Sequence, residues 1–320
     1  MAVEEAERLA KSGQAVAAAE LLANAGGGGD ADAAMLLAVW LLRGTPLRRD
    51  LAGARVWLRR AMEIGHVDAA LTEIALTANG SGAPADWPRA LALLRTAAAH
   101  DPVGAAQLAL VEAMALAPDG TPVGLPRPEP LHAAPRIVRF PALLTPAECA
   151  HLAGVGAALL EPARVIDPRT GAWVAHPIRT SDGGAIGPTR EDLVVRAINA
   201  RVAAISGTSV EQGEPLTVLR YRPGQEYRPH LDTIQGAANQ RIVTVLLYLN
   251  QGFAGGETHF PEVGVTVTPR GGDALLFANT RADGRPDPAT RHAGLPVTQG
   301  AKWLATRWIR AAPVDPWTIA

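Results

Sequence analysis

The first third of the chain places apolar and polar residues at helical spacing, and this pattern repeats. Up to about Met114, alanine and leucine dominate and β-branched residues are few, a composition that favours helix. Shifting the sequence by 36 positions superposes it on itself, so that Asp50 falls on Asp86 and Leu58 falls on Leu94. Paired helices at this period, about three units here, predict an α-solenoid in which each unit buries its apolar face on the next.

From Leu216 onward the pattern changes to short apolar runs separated by Gly and Pro turns, which indicates strands. The predicted strands are Ile137–Phe140, Leu216–Tyr221, Ile242–Leu249, Val265–Thr268, Ala274–Phe277 and Trp303–Ile309. Many short strands at this spacing favour a sandwich or barrel, and a jelly roll of the cupin type is the version that holds a metal between its two sheets. The predicted fold class is therefore α+β and multidomain, with an N-terminal α-solenoid followed by a cupin-like jelly roll and flanking helices.

Composition divides the chain into four parts. Residues 1–116 form the helical repeats, and the proline-rich residues 117–136 are predicted to be a semi-extended linker. Residues 137–312 form the second domain, and residues 313–320 form a tail. Helices are predicted to begin after Thr145 and over Asp192–Ser206, and Asp50 and Asp86 are predicted to be helix N-caps.

Composition and charge exclude some classes of partner. Apolar residues make up 48% of the chain and charged residues 19%, which is ample for packed cores. A net charge of -1 provides no field that would gather nucleic acid or an anionic membrane, so neither partner is expected. A single cysteine excludes an internal disulfide and favours a reducing, cytoplasmic location. No stretch has the apolar length of a signal peptide or a membrane helix.

Candidate chemistry lies in two segments that are about sixty residues apart. His230 and Asp232 are separated by one residue, so on an extended segment both side chains leave the same face. A distant histidine, for which His292 is the best candidate, would complete a two-His-one-carboxylate triad that leaves open positions on Fe(II). Ten residues after His292, Lys302 lies in a segment with strand alternation, and a lysine directed into the same cavity would suit a dicarboxylate.

Two alternatives use the same residues in other ways. His259 lies in the segment GGETHFP and offers a different third ligand beside His230 and Asp232. Histidine and aspartate also bind zinc well, so a zinc hydrolase could use the same three ligands. That alternative leaves Lys302 and the segment YRPGQ without a role.

Six motifs in order resemble the prolyl 4-hydroxylase family of Fe(II)- and 2-oxoglutarate-dependent dioxygenases. They are YRPGQEYRPH, HLD, YLN, GGETHFP, GGDALLF and RHAG, followed by the lysine at the matching offset. The resemblance covers roughly residues 137–310 and implies a double-stranded β-helix. The N-terminal segment WLRRAMEIGHVDAA resembles Sel1-like relatives of the tetratricopeptide repeat.

The resemblance also implies the cosubstrates and their binding residues. His230, Asp232 and His292 are expected to bind Fe(II), and Lys302 is expected to pair with the distal carboxylate of 2-oxoglutarate. O2 is the second cosubstrate, and L-ascorbate is expected by family resemblance. Tyr221 matches a tyrosine that hydrogen-bonds 2-oxoglutarate. Thr244 is a further candidate for such a bond, and Trp308 is a candidate for packing beside the cosubstrate.

The expected reaction is hydroxylation of an amino-acid residue, by default a prolyl residue in a peptide or protein, with release of succinate and CO2. Trp173 and Arg179 lie in a long loop and are hypothesised to contact the substrate. The concave surface of the repeats is expected to recruit a peptide or protein partner. The alternative is a repeat-based adaptor or sensor whose oxygenase domain binds 2-oxoglutarate with little turnover.

Overall fold

The computed structural model describes residues 1–166 and 173–318. The chain forms two compact units. The first comprises residues 1–120 together with residues 188–196, and the second comprises residues 121–187 together with residues 197–320.

Within residues 1–120 the chain forms seven helices, each packed against the next. They are α1 (Ala2–Lys11), α2 (Ala15–Gly27), α3 (Ala31–Arg43), α4 (Leu51–Glu63), α5 (Val67–Asn79), α6 (Trp87–Ala98) and α7 (Pro102–Ala113). The side chains of Asp50 and Asp86 accept hydrogen bonds from the third backbone N–H of α4 and α6, which confirms both predicted N-caps. Trp40 is buried, and the partly buried Trp57 packs against the same apolar cluster, so both tryptophans serve helix packing.

The second unit is built on antiparallel sheets. Its strands are β1 (Glu129–His132), β2 (Ile137–Phe140), β3 (Glu161–Pro162), β4 (Arg164–Ile166), β5 (Trp173–Ala175), β6 (Asp182–Ala185), β7 (Thr217–Tyr221), β8 (Tyr227–His230), β9 (Arg241–Tyr248), β10 (Ala254–Gly255), β11 (Thr258–Phe260), β12 (Val265–Val267), β13 (Ala274–Ala278), β14 (His292–Gly294), β15 (Val297–Gln299) and β16 (Lys302–Arg310). The larger sheet has the order β1-β2-β13-β9-β16-β7-β6-β3, and the smaller has the order β12-β11-β14-β8. Strands β10 and β15 form one separate pair, and β4 and β5 form another.

The core of this unit lies between the two larger sheets. The buried apolar cluster includes Leu219, Leu246 and Phe277 of the larger sheet. It also includes Phe260 and Val267 of the smaller sheet. Apolar side chains of both sheets therefore interdigitate, which is the sandwich expected of a jelly roll. The predicted order of a helical array followed by a double-stranded β-helix is confirmed.

Helices α8 (Pro146–Ala157) and α9 (Leu193–Ser206) begin where the sequence predicts. Thr145 and Glu148 form a reciprocal capping box at the start of α8. Gly156 brings α8 close to β7, because a Cβ at this position would lie 2.4 Å from Val218.

The segment predicted as a linker contributes a strand. Residues Glu129–His132, within the predicted linker 117–136, form β1 and pair antiparallel with β2. The sequence pattern did not predict this strand because it contains Pro130. Proline has no backbone N–H to donate to a neighbouring strand, so it argues against a strand. It is tolerated here because β1 lies at the edge of the larger sheet. In the described part of the chain, no helix combines the length and apolar character needed to cross a lipid bilayer.

Candidate metal and cosubstrate site

Two histidines face each other across neighbouring strands of the smaller sheet. His230 is the last residue of β8 and His292 is the first of β14, and the two are direct cross-strand partners. Asp232 follows β8 by two residues, with its carboxylate 3.5 Å from His230 Nε2 and 3.8 Å from His292 Nε2. One ligand atom from each of these residues lies within 4.8 Å of the others. This is the only such group of three His, Cys, Asp or Glu among the described residues.

Backbone carbonyls set the tautomers of both histidines. His230 Nδ1 lies 2.9 Å from the Arg228 carbonyl, and His292 Nδ1 lies 3.0 Å from the Thr290 carbonyl. A carbonyl oxygen only accepts, so each Nδ1 carries the hydrogen and each Nε2 presents a lone pair. Burial lowers the pKa of His292 to about 4, which keeps this ring neutral near pH 7. Two imidazole Nε2 atoms and a carboxylate thus converge, and this donor set fits a divalent cation.

Asp232 is held ionised and fixed in place. Burial raises the pKa of its carboxyl, but the charged forms of His292 and His230 and the hydrogen bond from Thr244 outweigh this effect and hold the pKa well below its usual range. Thr244 donates a hydrogen bond of 2.6 Å to the carboxylate and accepts one of 2.8 Å from Asn279. This chain of hydrogen bonds fixes the direction of the carboxylate toward the two imidazoles.

Aromatic rings enclose the histidines. The Tyr227 ring stacks on His230 with a centroid distance of 3.4 Å and an interplanar angle of 15°. The ring centroids of Phe277 and Phe260 lie 4.6 Å and 5.5 Å from the ring centroid of His292. These rings limit the rotation of both imidazoles and exclude water from behind them.

Lys302 lies in the same cavity, where it is buried with a relative exposure of 3%. Its Nζ donates to the Gly256 carbonyl at 2.7 Å and lies about 5.5 Å from the ring centroids of Tyr221 and Tyr248. Burial lowers the pKa of Lys302 to about 8, and Glu257 partly opposes this shift. A buried ammonium is costly without an anion, so this position suits one carboxylate of a dicarboxylic acid.

One cavity connects the three convergent residues to Lys302. Leu219, Tyr221, Tyr227, His230, Asp232, Leu246, Thr258, His292, Gly294, Lys302, Leu304, Thr306 and Trp308 line it. The cavity has polar groups at two ends and an apolar wall between them, which suits a small molecule that bridges a metal and a lysine.

Comparison with known proteins agrees with this geometry. Residues 216–310 match the model of the 2OG-Fe(II) oxygenase superfamily. Prolyl 4-hydroxylase 1 of Arabidopsis thaliana is 36% identical over 207 residues, which cover 59% of this chain and 73% of the relative. The chain belongs to the prolyl 4-hydroxylase family. Rat prolyl 4-hydroxylase subunit alpha-1 is 37% identical over 185 residues, which cover 55% of this chain and 34% of the subunit.

Solved structures include further prolyl 4-hydroxylase relatives. The viral collagen prolyl hydroxylase of Paramecium Bursaria Chlorella virus-1, in its 2OG complex, is 26% identical, with a TM-score of 0.45 and coverage of 55% of this chain and 96% of that chain. A Sel1 repeat protein from Oxalobacter formigenes is 28% identical, with a TM-score of 0.29 and coverage of 32% of this chain and 45% of that chain.

The other residues predicted for this prolyl 4-hydroxylase site fall into four groups. Tyr221 and Trp308 line the cavity, and Tyr221 is the direct cross-strand partner of Lys302. Thr244 is fully buried and is absent from the cavity lining. Its hydroxyl donates a hydrogen bond to Asp232. The sequence analysis named Thr244 as a candidate for a hydrogen bond to 2-oxoglutarate and did not predict the contact with Asp232. Arg179 lies beside the site, with its guanidinium 5.7 Å from the Tyr227 ring centroid. Trp173 begins β5, and its side chain lies outside what the structure describes.

His259 does not join the triad. It lies on β11, where its Nδ1 is 2.8 Å from the Thr266 hydroxyl on the neighbouring strand. It is absent from the cavity lining, whereas the preceding residue, Thr258, is part of it, as strand alternation requires.

Sequence reasoning missed Tyr227, Tyr248 and Thr258. Tyr227 lies three residues before His230, and only the tertiary fold stacks its ring on the imidazole. The Tyr248 hydroxyl lies 2.8 Å from the Thr258 hydroxyl, in a buried pair that joins the two sheets. Tyr248 lies in the motif YLN and Thr258 lies in the motif GGETHFP. The motifs therefore marked both residues but did not indicate their role.

Proposed function

We propose that this protein hydroxylates a prolyl residue in a peptide or protein, using Fe(II), 2-oxoglutarate and O2. The observation that carries the proposal is the convergence of two imidazole Nε2 atoms and a carboxylate in the cavity that contains buried Lys302. Membership of the prolyl 4-hydroxylase family supports the reaction type and the prolyl target.

In the proposed site, His230, Asp232 and His292 hold Fe(II) on one face. When bound, ferrous iron with 2-oxoglutarate supplies the chemistry that couples release of succinate and CO2 to insertion of one oxygen atom into a C–H bond. The protein orients the three ligand side chains. Thr244 orients the carboxylate of Asp232, and two backbone carbonyls orient the imidazoles of His230 and His292.

Lys302 holds the distal carboxylate of 2-oxoglutarate in this proposal. Its ammonium is the only Lys or Arg side chain that lines the cavity among the described residues. A cosubstrate whose distal carboxylate paired with Lys302 would be held in one orientation within the cavity. Tyr221 and Trp308 form cavity walls, and Tyr221 neighbours Lys302 directly.

The substrate is a peptide or protein, and we propose that the helical array recruits it through its concave surface. In other solenoids, stacked repeats form an extended surface that binds peptides or proteins. A cytoplasmic location and stimulation by L-ascorbate remain predictions from composition and from the family, respectively.

The first test is an anaerobic titration with Fe(II) and then 2-oxoglutarate, monitored through the weak visible charge-transfer band of the chelated complex. Wild type is expected to form the band, and His292→Ala is expected to lose it. His259→Ala is the matched control, because this histidine lies on the adjacent strand outside the cavity. A band of unchanged intensity and affinity in His292→Ala would refute the proposed ligand set.

Turnover separates the enzyme from the sensor. The assay measures succinate formation together with a mass increase of one oxygen atom in proline-containing peptides. Stoichiometric succinate and hydroxylated peptide are expected. Normal formation of the 2-oxoglutarate band, with no peptide-dependent succinate from any proline-containing substrate, would favour the sensor.

A further inference from the structure

Three arginines surround the outer side of the proposed site and form what we term the basic rim, namely Arg179, Arg241 and Arg291. All three belong to the second compact unit. None of them lines the cavity itself, but each contacts or directly adjoins a residue that does.

Arg179 is anchored to the wall that contains His230. Its backbone pairs with Tyr227, and its guanidinium lies 5.7 Å from the ring centroid of that residue. Tyr227 in turn stacks on His230. The Arg179 Nε is buried and has no hydrogen-bond partner among the described residues. A buried N–H without an acceptor is unusual, so this guanidinium retains hydrogen-bonding capacity.

Arg241 contacts the cavity wall at Trp308. Its guanidinium covers the Trp308 ring at 4.1 Å, and Nη1 donates to the Asp232 carbonyl at 3.4 Å. Glu214 accepts from Nε and Nη2 of Arg241 at 2.7 Å each and also from Arg310. One carboxylate thus serves two guanidinium groups, so this cluster retains one positive charge beside the site.

Arg291 immediately precedes His292. It is exposed, and its Nη2 approaches the Pro229 carbonyl at 3.5 Å, next to His230. Within residues 1–166 and 173–318, no carboxylate lies within ion-pair distance of Arg291 or Arg179.

Asp182 and Glu226 lie close in sequence to Arg179 and to its partner Tyr227, and both are paired with other arginines. Asp182 pairs with Arg220 at 2.8 Å and with Arg222 at 3.1 Å, and Glu226 pairs with Arg228 at 3.1 Å. These carboxylates therefore do not neutralise the basic rim.

The occupied centre does not neutralise the rim either. A ferrous ion, the Asp232 carboxylate, doubly ionised 2-oxoglutarate and the Lys302 ammonium together sum to zero charge.

We propose that the basic rim selects peptides whose target residue is flanked by Asp or Glu. This inference rests on the proposed function, and it specifies the class of sequence around the target. Carboxylates on either side of the target residue would pair with Arg179 and Arg291, while the cluster of Arg241 supplies a favourable field.

The test measures binding rather than turnover, so that it does not depend on which proline is hydroxylated. Labelled short peptides with one central proline carry flanks of Asp and Glu, of Ser and Gln, or of Lys. Fluorescence anisotropy is measured on anaerobic full-length enzyme loaded with Fe(II) and 2-oxoglutarate. Two or three exposed ion pairs, each contributing roughly a two- to fivefold preference, predict that the acidic peptide binds about tenfold more tightly than the neutral one. The lysine peptide is expected to bind most weakly.

Salt and variants locate the effect. In about 1 M NaCl, where the screening length is about 3 Å, the preference is expected to shrink to near unity. Arg291→Gln and Arg179→Gln are each expected to reduce the ratio of acidic to neutral affinity at least twofold, and Arg291→Glu is expected to improve relative binding of the lysine peptide. Arg270→Gln is the matched control, since this exposed arginine follows β12 at the sheet edge opposite β8.

The outcomes distinguish this inference from the proposed function. If the wild-type enzyme forms no charge-transfer band, the proposed function is contradicted. A normal band with equal affinity for all three peptides overturns the basic-rim inference alone. Equal loss of preference in Arg270→Gln, or a DNA oligonucleotide that binds as tightly as the acidic peptide, also overturns it, because either result reports general anion attraction.

Discussion

The buried ammonium of Lys302 makes a prediction about pH that no exposed lysine would make. Burial lowers its pKa from 10.5 to about 8. A 2-oxoglutarate carboxylate beside Nζ favours the charged form, so the pKa is expected to rise when the cosubstrate binds. Binding therefore takes up a proton whenever the solution is more alkaline than about pH 8.

The structure sets the magnitude of this effect. The difference between 10.5 and about 8 corresponds to a cost of ~3 kcal/mol for keeping the ammonium charged in the empty cavity. Affinity for 2-oxoglutarate is expected to be constant below about pH 8 and to weaken about tenfold for each further pH unit, because deprotonated enzyme must first regain its proton. Removal of the ammonium in Lys302→Met forfeits a charge-assisted hydrogen bond, which weakens binding by roughly 10- to 150-fold.

Anaerobic titration of Fe(II)-loaded enzyme with 2-oxoglutarate across about pH 6.5 to 9.5 measures both effects. Wild type is expected to show the break near pH 8, whereas Lys302→Met is expected to bind weakly with no break, because the group that titrates is absent. Metal affinity is compared in both proteins as a control for the folded site. The reasoning is refuted if the pH dependence of Lys302→Met matches that of wild type, or if wild-type affinity stays flat up to about pH 9.5.

The remaining predictions concern stability and metal affinity. Wild-type protein without cosubstrate is expected to gain thermal stability between about pH 8 and 10.5, since the folded state binds fewer protons than the unfolded state there, and Lys302→Met is expected to lack this gain. Thr244→Val removes the donor to Asp232 and is expected to weaken Fe(II) binding by roughly 10- to 100-fold, with Thr244→Ser restoring it; equal Fe(II) affinity in Thr244→Val would contradict the orienting role. Gly156→Ala places a methyl group 2.4 Å from Val218 and is expected to destabilise the second unit by about 1–3 kcal/mol in denaturant titrations, whereas Gly154→Ala, with open space around its Cβ position, should cost less.

The long apolar strands were predictable from sequence, and the short polar ones were not. The predicted Ile242–Leu249 and Trp303–Ile309 differ from β9 and β16 by one residue at each end, because their alternation and β-branched content are local properties. Strands β8 and β14 contain proline, glycine and histidine and carry little pattern of their own. These two strands form because they pair within the smaller sheet. The local pattern of apolar and polar residues does not reveal which segments pair.

Much the same division applies to the site. His230, Asp232, His292 and Lys302 were predicted from spacing and family motifs, and the structure brings them to one cavity. The hydrogen bond from Thr244 to Asp232 depends on which face of β9 meets the metal end. Sequence alternation identifies two faces but does not say which of them faces the ligands.

The cross-strand pairing of His230 with His292 ties metal binding to strand register. A shift of β14 by one residue along β8 would turn the His292 imidazole to the other face of the smaller sheet and dismantle the site. Only a correctly paired sheet can then bind iron tightly, and iron in turn holds together two chain segments that are far apart in sequence. Iron occupancy would thus act as a check on assembly: slipped or unpaired sheets remain inactive instead of activating O2 at a malformed site.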